Sequence, residues 1–372
     1  MTAPFAILQP ARIRFGRGEA LAAVPEIAAL GRRAFLVHGR TADRAAPLIA
    51  ALEKTGVAVT SHPCPGEPTL SMLDGAVAAA RGADLVIGFG GGSALDLAKA
   101  VAALVPATGG AMDHLEVVGK GLPLVADPLP FVAIPTTAGT GAEVTKNAVI
   151  DVPEHRRKVS LRDDRMIARL AVVDPSLTDH CPKSVTLASG LDAVVQVIEP
   201  YLSTRANPYT DALARAAIPA GLSALRRLMS AEDPDARDRM AWVSLCGGLA
   251  LANSGLGAVH GLAGPIGGMT GAAHGAICGT LLPHVLRLIA ARAPSARTDE
   301  VAGWIGATFD DGRLDALEDW IHREGLPQLS ALGLGADDHE GAAEAALQSS
   351  SMKSSPVQFS AADLRALLRQ AG

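Results

Sequence analysis

Four side chains in the second half of the sequence have the types and spacing of metal ligands. Asp192 and Gln196 are four residues apart, so they share one face if their segment is helical. His260 and His274 are fourteen residues apart in a stretch, Arg239 to Arg287, that has no charged residue between its two ends. A carboxylate and two imidazoles can hold Zn²⁺ or Fe²⁺ and leave positions open for water or substrate. The alternative is that each histidine is an ordinary buried residue with a hydrogen bond.

Two segments in the first half have the composition of a nucleotide site. Gly88–Ser93 (GFGGGS) follows an apolar run and opens a helical pattern, where backbone N–H groups and the helix dipole favour a phosphate. Ala133–Thr145 (AIPTTAGTGAEVT) places threonines after another apolar run, where parallel sheets bind ligands. The glycine spacing matches neither G-x-G-x-x-G nor a Walker A sequence. A structural turn, with threonines that satisfy their own backbone, would look similar.

The elements that must position these residues change type near residue 180. Apolar runs at 34–39, 57–61, 83–88, 131–136 and 171–173 alternate with helical patterns, which predicts βαβ crossovers and a mostly parallel sheet. The polar segment 146–161 predicts a hairpin. From residue 184 onward only helical periodicity remains. We therefore predict an N-terminal α/β dinucleotide-binding domain (1–180) and a C-terminal all-helical domain (181–372).

Composition excludes several classes of protein. The 372 residues include 33 Lys and Arg and 38 Asp and Glu. This slight excess of negative charge argues against nucleic acid as a partner. Four scattered cysteines without a C-x-x-C pair, and no signal pattern at the N-terminus, predict a cytoplasmic protein. Glycines, Pro265 and Pro283 interrupt the charge-free stretch, so we predict buried helices there and no membrane span.

Five segments together resemble the iron-containing (type III) alcohol dehydrogenase family, which includes glycerol dehydrogenases and maleylacetate reductases. They are GFGGGSALDLAKA (88–100), AIPTTAGTGAEVTKNAVI (133–150), KVSLRDDRMIARLAVVDPSLT (158–178), GLDAVVQVIEPYLS (190–203) and GAVHGLAGPIGG…AAHGAICGTLLPHV (257–285). Their order and separations are those of the family. The resemblance implies an α/β cofactor domain, an all-helical domain, and a homodimer or larger homo-oligomer.

The resemblance also implies roles for individual residues. Asp192, His260 and His274 match metal ligands, and the residues that match cofactor positions are Gly91, Gly92, Ser93, Asp96, Thr136, Thr137, Thr140, Thr145 and Lys158. Two positions depart from the family. Gln196 stands where many relatives have a fourth ligand histidine, and Gly264 where they have a histidine near the nicotinamide. Gln196 can still ligate through its amide oxygen, so the departure bears on which metal is bound, Fe²⁺ or Zn²⁺, more than on whether a metal is bound.

The cofactor preference is predicted from the residues after the first strand. NAD-preferring relatives often have Asp where this chain has Gly39, and Gly39 followed by Arg40 can accept the 2′-phosphate of NADP. We therefore expect the chain to be a metal-assisted alcohol dehydrogenase or aldehyde reductase. It would use NAD or NADP and act on a small neutral alcohol or aldehyde. The alternatives are a metal-independent reductase like the maleylacetate reductases, and a nucleotide-binding protein whose catalysis has decayed.

Overall fold

A computed structural model describes residues 4–309 and 314–372, and the chain forms two compact units. The α/β unit comprises Leu8–Thr137 and Gly141–Asp179. The helical unit comprises the described residues up to Ile7, the short segment Ala138–Thr140, and the described part of His180–Gly372. Three residues of the loop after the apolar run 131–136 therefore belong to the helical unit.

The α/β unit is built on a six-stranded parallel sheet with a separate antiparallel hairpin. The strands are β1 Ile13–Phe15, β2 Arg33–His38, β3 Ala58–Pro63, β4 Leu85–Gly90, β5 Phe131–Pro135, β6 Asn147–Val152, β7 Arg157–Arg162 and β8 Leu170–Val173. The order in the sheet is β1-β8-β5-β4-β2-β3, and β6 pairs with β7. All residues of β4 and β5 are buried, because both faces of the sheet are covered, and such strands are continuous apolar runs.

Helices cover both faces of this sheet. They are α1 Glu19–Ala22, α2 Val24–Ala28, α3 Ala46–Lys54, α4 Leu70–Ala79, α5 Gly92–Leu104 and α6 Ala111–His114. Successive side chains of β2 alternate between two apolar clusters: Phe35 packs with α4 and α5, and Leu36 packs with α2 and α3. The sheet is therefore the middle layer of three.

The helical unit packs around one central helix. Its helices are α7 Lys183–Leu202, α8 Pro208–Ser230, α9 Pro234–Ser254, α10 Ala258–Thr270, α11 His274–Arg292, α12 Ala296–Phe309, α13 Leu314–Arg323, α14 His339–Leu347 and α15 Ala361–Ala371. Helix α7 lies against α8, α9 and α11 and is buried continuously from Gly190 to Leu202. Ala, Leu and Val supply most of this core, so the helices approach one another closely.

The charge-free stretch forms α9, α10 and α11 in the core of the helical unit. Among the described helices, α11 by itself is long and apolar enough to cross a membrane, and 67% of its most apolar window is buried inside the unit. Helices α9 and α10 qualify only as a pair that is bent by 100°. The expectation that Pro265 and Pro283 interrupt this stretch is wrong, because each lies inside a helix. Packing on all sides holds a helix together across the one backbone hydrogen bond that a proline removes.

The fold class predicted from the sequence is confirmed: a parallel α/β region precedes a helical region. The strands predicted from apolar runs are all present, and their ends differ from the predicted ones by at most two residues. Strand β1 was missed because it has three residues with Arg14 in the middle, which is too short for a periodic signal.

Candidate functional site

Three of the predicted metal ligands meet in the helical unit. Asp192 lies in the middle of α7, His260 in the first turn of α10, and His274 is the first residue of α11. Oδ1 of Asp192 is 3.4 Å from Nε2 of His260 and 3.7 Å from Nε2 of His274. Cys278, one turn further along α11, brings its Sγ to 3.6 Å from Nε2 of His274. One ligand atom from each of these four residues lies within 4.8 Å of the other three.

A glycine allows α11 to lie directly against α7 at this point. A Cβ atom on Gly275 would stand 2.3 Å from the backbone oxygen of Ala188 and 3.2 Å from Cβ of Asp192. Any larger residue would therefore force the two helices apart. Gly275 positions His274 beside Asp192, and the sequence offered no signal for this beyond the glycine itself.

Glu199 orients His260 and was not predicted from the sequence. Its Oε2 accepts a hydrogen bond from Nδ1 of His260 at 2.6 Å, and its Oε1 accepts one from the backbone N–H of Val259 at 2.7 Å. With its proton on Nδ1, a neutral imidazole presents the lone pair of Nε2 to the cluster. The available signal was spacing: Glu199 follows Asp192 by two helical turns and is a buried carboxylate in an otherwise apolar segment.

The electrostatics of the cluster favour charged groups despite burial. Burial by itself lowers the pKa of His260, but interactions with Cys278, Asp192 and Glu199 reverse the effect and raise that pKa well above its usual value. Burial likewise opposes ionisation of Asp192, yet the imidazoles of His274 and His260 hold the pKa of this carboxyl below its usual value. The cluster thus combines negative charge with side chains that would surround a bound cation as ligands.

The residues of this cluster fit a divalent metal ion. Oδ1 of Asp192 and Nε2 of His260 are buried and have no well-aligned hydrogen-bond partner among the residues that the structure describes. Such atoms carry an energetic penalty unless something pairs with them. Carboxylate, imidazole and thiol donors are those that Zn²⁺ and Fe²⁺ use in proteins. His274 leaves about a third of its side chain accessible, so the cluster is not sealed.

Gln196 and Gly264, the two positions that depart from the family, each lie one helical turn from a cluster residue, and their surroundings differ. Gln196, one turn after Asp192 on α7, is buried, and its Nε2 donates a hydrogen bond to the backbone oxygen of Thr140 at 2.6 Å. Gly264, one turn after His260 on α10, has open space around the position of a Cβ atom. The structure therefore gives the Gln196 amide nitrogen a backbone partner and leaves room for a side chain at residue 264.

The predicted phosphate-binding residues lie at one edge of the α/β unit. His38 pairs with Phe89 and Gly90 with Pro135, so the chain leaves β2, β4 and β5 at the same level of the sheet. Gly39, Gly91 and Thr136 follow those three neighbouring strands. Helix α5 begins at Gly92 with Gly91 as its N-cap and no capping side chain, so N–H groups of its first turn, including that of Ser93, lack intrahelical partners. This is the geometry of an anion site.

Close backbone packing requires the glycines of this turn. A Cβ atom on Gly90 would stand 2.6 Å from Cβ of Ala94 and 3.4 Å from the backbone nitrogen of Gly39. On Gly91 it would meet Oγ1 of Thr137 at 3.3 Å. The turn therefore brings the ends of β2 and β4 together and leaves backbone exposed to a ligand.

Other predicted cofactor residues are engaged within the protein. Asp96 accepts a hydrogen bond from the backbone N–H of Val149 at 3.0 Å, and the ammonium of Lys158 forms an ion pair with Glu67. Oγ1 of Thr145 accepts a hydrogen bond from the buried ammonium of Lys99 at 2.9 Å. The contacts of Asp96 and Lys99 hold β6 and the loop after β5 against α5, and the Lys158–Glu67 pair ties β7 to the loop after β3.

Comparisons with known proteins agree with this arrangement. Residues 10–175 match the family described as iron-containing alcohol dehydrogenase, and residues 186–372 match the C-terminal domain of the same family. Long-chain-alcohol dehydrogenase 1 of Geobacillus thermodenitrificans is 37% identical over 82% of this chain and 80% of its own. NAD-dependent methanol dehydrogenase of Bacillus methanolicus is 34% identical over 77% of each chain. The crystal structure of a 1,3-propanediol oxidoreductase superimposes with a TM-score of 0.90, 29% identity and full coverage of both chains.

The chain belongs to the iron-containing alcohol dehydrogenase family. Both family profiles are matched in the expected order, and the relatives are similar over most of their own length. It is an oxidoreductase of the alcohol dehydrogenase class, and the resemblance inferred from the five sequence segments is confirmed.

Proposed function

We propose that this enzyme interconverts small neutral alcohols and the corresponding aldehydes, with NAD or NADP and a divalent metal held by Asp192, His260 and His274. The observation that carries the proposal is the meeting of these three side chains around two buried atoms that have no hydrogen-bond partner among the described residues. When bound, the metal supplies Lewis-acid polarisation of the substrate oxygen and the nicotinamide supplies a hydride acceptor or donor.

The protein residues have distinct tasks in this proposal. Asp192 contributes negative charge at the centre of the cluster, and Glu199 keeps the His260 ring in one orientation through its bond to Nδ1. The first turn of α5, from Gly92, offers unpaired N–H groups to the cofactor pyrophosphate. Thr136, Thr137 and Thr140 are the further candidates for contact with the cofactor. Thr145, Asp96 and Lys158 act through the internal contacts that hold the neighbouring segments in place.

A neutral substrate is favoured by the charges of the helices that carry the histidines. Helix α10 has no Asp, Glu, Lys or Arg, and α11 has none before Arg287. A substrate carboxylate would therefore find no ammonium or guanidinium group on α10 or on the part of α11 before Arg287 to replace its hydration. We expect kcat/KM for a primary alcohol to exceed that for the ω-hydroxy acid of equal chain length. The reverse order would refute this part of the proposal.

The adenosine end favours acceptance of NADP beside NAD. Arg40 is exposed at the end of β2, and Gly39 has open space around its Cα. Arg44 is a weaker candidate because its guanidinium donates to the backbone oxygen of Leu177. Gly39→Asp should lower kcat/KM for NADP and spare NAD, since a carboxylate repels the 2′-phosphate. Arg40→Ala should act in the same direction, and equal effects on both cofactors would argue against this assignment.

We further propose that the enzyme is cytoplasmic and forms a homodimer or larger homo-oligomer. All four cysteines are free thiols, which supports a reducing compartment. Phe5, Ile7 and Phe15 each expose more than two fifths of their surface, which supports burial against a second copy. Light scattering that gives the mass of a single chain would refute the oligomer.

Metal analysis of protein purified without chelator tests the central proposal. We expect about one equivalent of iron or zinc in the wild type and its loss in Asp192→Ala and in His274→Ala. His322→Ala, on α13 outside the cluster, is the matched control and should retain the metal. Gln196→Ala separates a ligating amide from a structural one. A wild type that takes up neither Fe²⁺ nor Zn²⁺ would favour the metal-independent reductase, and cofactor binding without turnover would favour the decayed nucleotide-binding protein.

A further inference from the structure

Cys278 occupies the fourth corner of the metal cluster. It lies one turn after His274 on α11, so both side chains project from the same face of that helix. Its side chain is completely buried. The Sγ atom lies within 4.8 Å of the ligand atoms of Asp192, His260 and His274.

Three of the six separations between these atoms match the edges of a metal tetrahedron. With bonds of about 2.0–2.2 Å to nitrogen or oxygen and about 2.3 Å to sulfur, tetrahedral angles place nitrogen about 3.4 Å from oxygen and about 3.6 Å from sulfur. The structure has 3.4 Å and 3.7 Å between Oδ1 of Asp192 and the Nε2 atoms of His260 and His274. It has 3.6 Å between Sγ of Cys278 and Nε2 of His274. The other three separations are at most 4.8 Å, so the four atoms lie close enough together to surround one small cation.

We propose that Cys278 is a protein ligand of the metal, as a thiolate, together with Asp192, His260 and His274. The inference rests on the metal site of the proposed function and extends it to a mixed sulfur, nitrogen and oxygen donor set. Binding exchanges the thiol proton for the metal ion, and the proton leaves to solvent. Because thiolate is a soft donor, this set favours Zn²⁺ over Fe²⁺.

Gln196 is the competing source of a further ligand, and its contacts differ from those of Cys278. Its Nε2 donates to the backbone oxygen of Thr140, and its Cβ and Cγ pack near Gly247. Cys278 lies within contact of a ligand nitrogen, and its thiolate has a higher affinity for zinc than a neutral amide oxygen has. Cys278 is therefore the stronger donor of the two.

Cobalt substitution tests this directly, because a thiolate bound to Co²⁺ gives an intense near-ultraviolet charge-transfer band that nitrogen and oxygen ligands do not give. The protein is loaded with one equivalent of Co²⁺, and spectra are compared for wild type, Cys278→Ser, Gln196→Ala and Cys246→Ser. Cys246 is the matched control, since it is a buried cysteine of the same helical unit on α9 and is outside the cluster.

We expect the band in the wild type, in Gln196→Ala and in Cys246→Ser, and its loss in Cys278→Ser. Chelator competition should show that Cys278→Ser binds Zn²⁺ at least about 10-fold more weakly, since even loss of a residue that only supports a ligand costs that much. The wild-type spectrum does not depend on whether a variant folds.

Two results separate the failure of this inference from the failure of the proposed function. Stoichiometric cobalt without the band, or with a band that persists in Cys278→Ser, would overturn the thiolate ligand and leave the metal site intact. A wild type that binds no cobalt, iron or zinc would overturn both.

Discussion

Substitution of Gly275 by alanine tests whether direct contact between α7 and α11 sets the metal cluster. The new Cβ would lie 2.3 Å from the backbone oxygen of Ala188, whereas ordinary contacts begin near 3.4 Å, so α11 must move by about 1 Å. Overpacking of this kind costs about 1–3 kcal/mol, and the better helix propensity of alanine returns up to about 1 kcal/mol. We therefore expect a net loss of about 1–2 kcal/mol in the free energy of unfolding.

In Gly275→Ala, the loss of metal affinity and turnover should be larger, expressed as free energy, than the loss of folding stability. His274 precedes Gly275, so the displacement moves its Nε2 from a position 3.7 Å from Oδ1 of Asp192. A misplacement of about 1 Å in a catalytic arrangement lowers turnover about 100-fold, and we expect metal affinity to fall with it. Urea unfolding gives the stability, chelator competition the metal affinity, and cofactor absorbance with a primary alcohol the value of kcat/KM.

Gly264→Ala is the matched control for this experiment. Gly264 also lies in a helix next to a cluster histidine, but a Cβ there meets no atom within 4 Å. Its substitution should leave metal affinity unchanged and stabilise the protein by up to about 1 kcal/mol. Wild-type metal affinity and turnover in Gly275→Ala, or equal losses in the two variants, would refute the argument from helix contact.

Three further predictions address single residues. Glu199→Gln removes the negative charge that faces Nδ1 of His260, so metal affinity measured by chelator competition should fall about 10–100-fold, and an unchanged affinity would contradict the orienting role. Gly264→His places an imidazole one turn from His260, so the pH profile of kcat/KM should gain an ionisation near neutral pH; an identical profile would exclude proton transfer through this position. Burial raises the pKa of Glu143 from 4.5 to about 7, so the folded state binds its proton more tightly, and the stability that this group contributes is lost as pH rises from about 4.5 to 7. As the pH rises across that interval, the free energy of unfolding of Glu143→Gln should therefore increase relative to that of wild type by up to about 3 kcal/mol. Urea unfolding that gives the same difference between variant and wild type at pH 5 and at pH 7 would contradict this.

The sequence predicted the fold because each of its signals is local. The buried strands β4 and β5 are short apolar runs, and the glycines from Gly90 to Gly92 form the junction of β4 and α5. The carboxyl ends of the strands then meet at one edge because the strands are parallel. The same locality explains what was missed: β1 is held by β8, which lies about 160 residues further along the chain, and has no pattern of its own.

The candidate metal site was predicted only in part, and the missing part depends on packing between helices. Asp192, His260 and His274 could be selected by residue type and by resemblance to the family. Cys278 had the appearance of one more scattered cysteine, and Glu199 that of an ordinary helical carboxylate. Neither residue type nor spacing says which buried groups point toward one another across three helices.

The α/β and helical regions, the family and the presence of metal-binding side chains could all be predicted from the amino-acid sequence. Which atoms share the cluster depends on the tertiary structure, because α7 is separated from α10 and α11 by two helices in the chain and meets them through close packing. The backbone contact at Gly275, the bond from His260 to Glu199 and the place of Cys278 beside His274 all follow from that packing. Residues that follow parallel strands meet because the strands all end at the same edge of the sheet. Side chains inside a helical bundle meet only through the packing of the helices against one another.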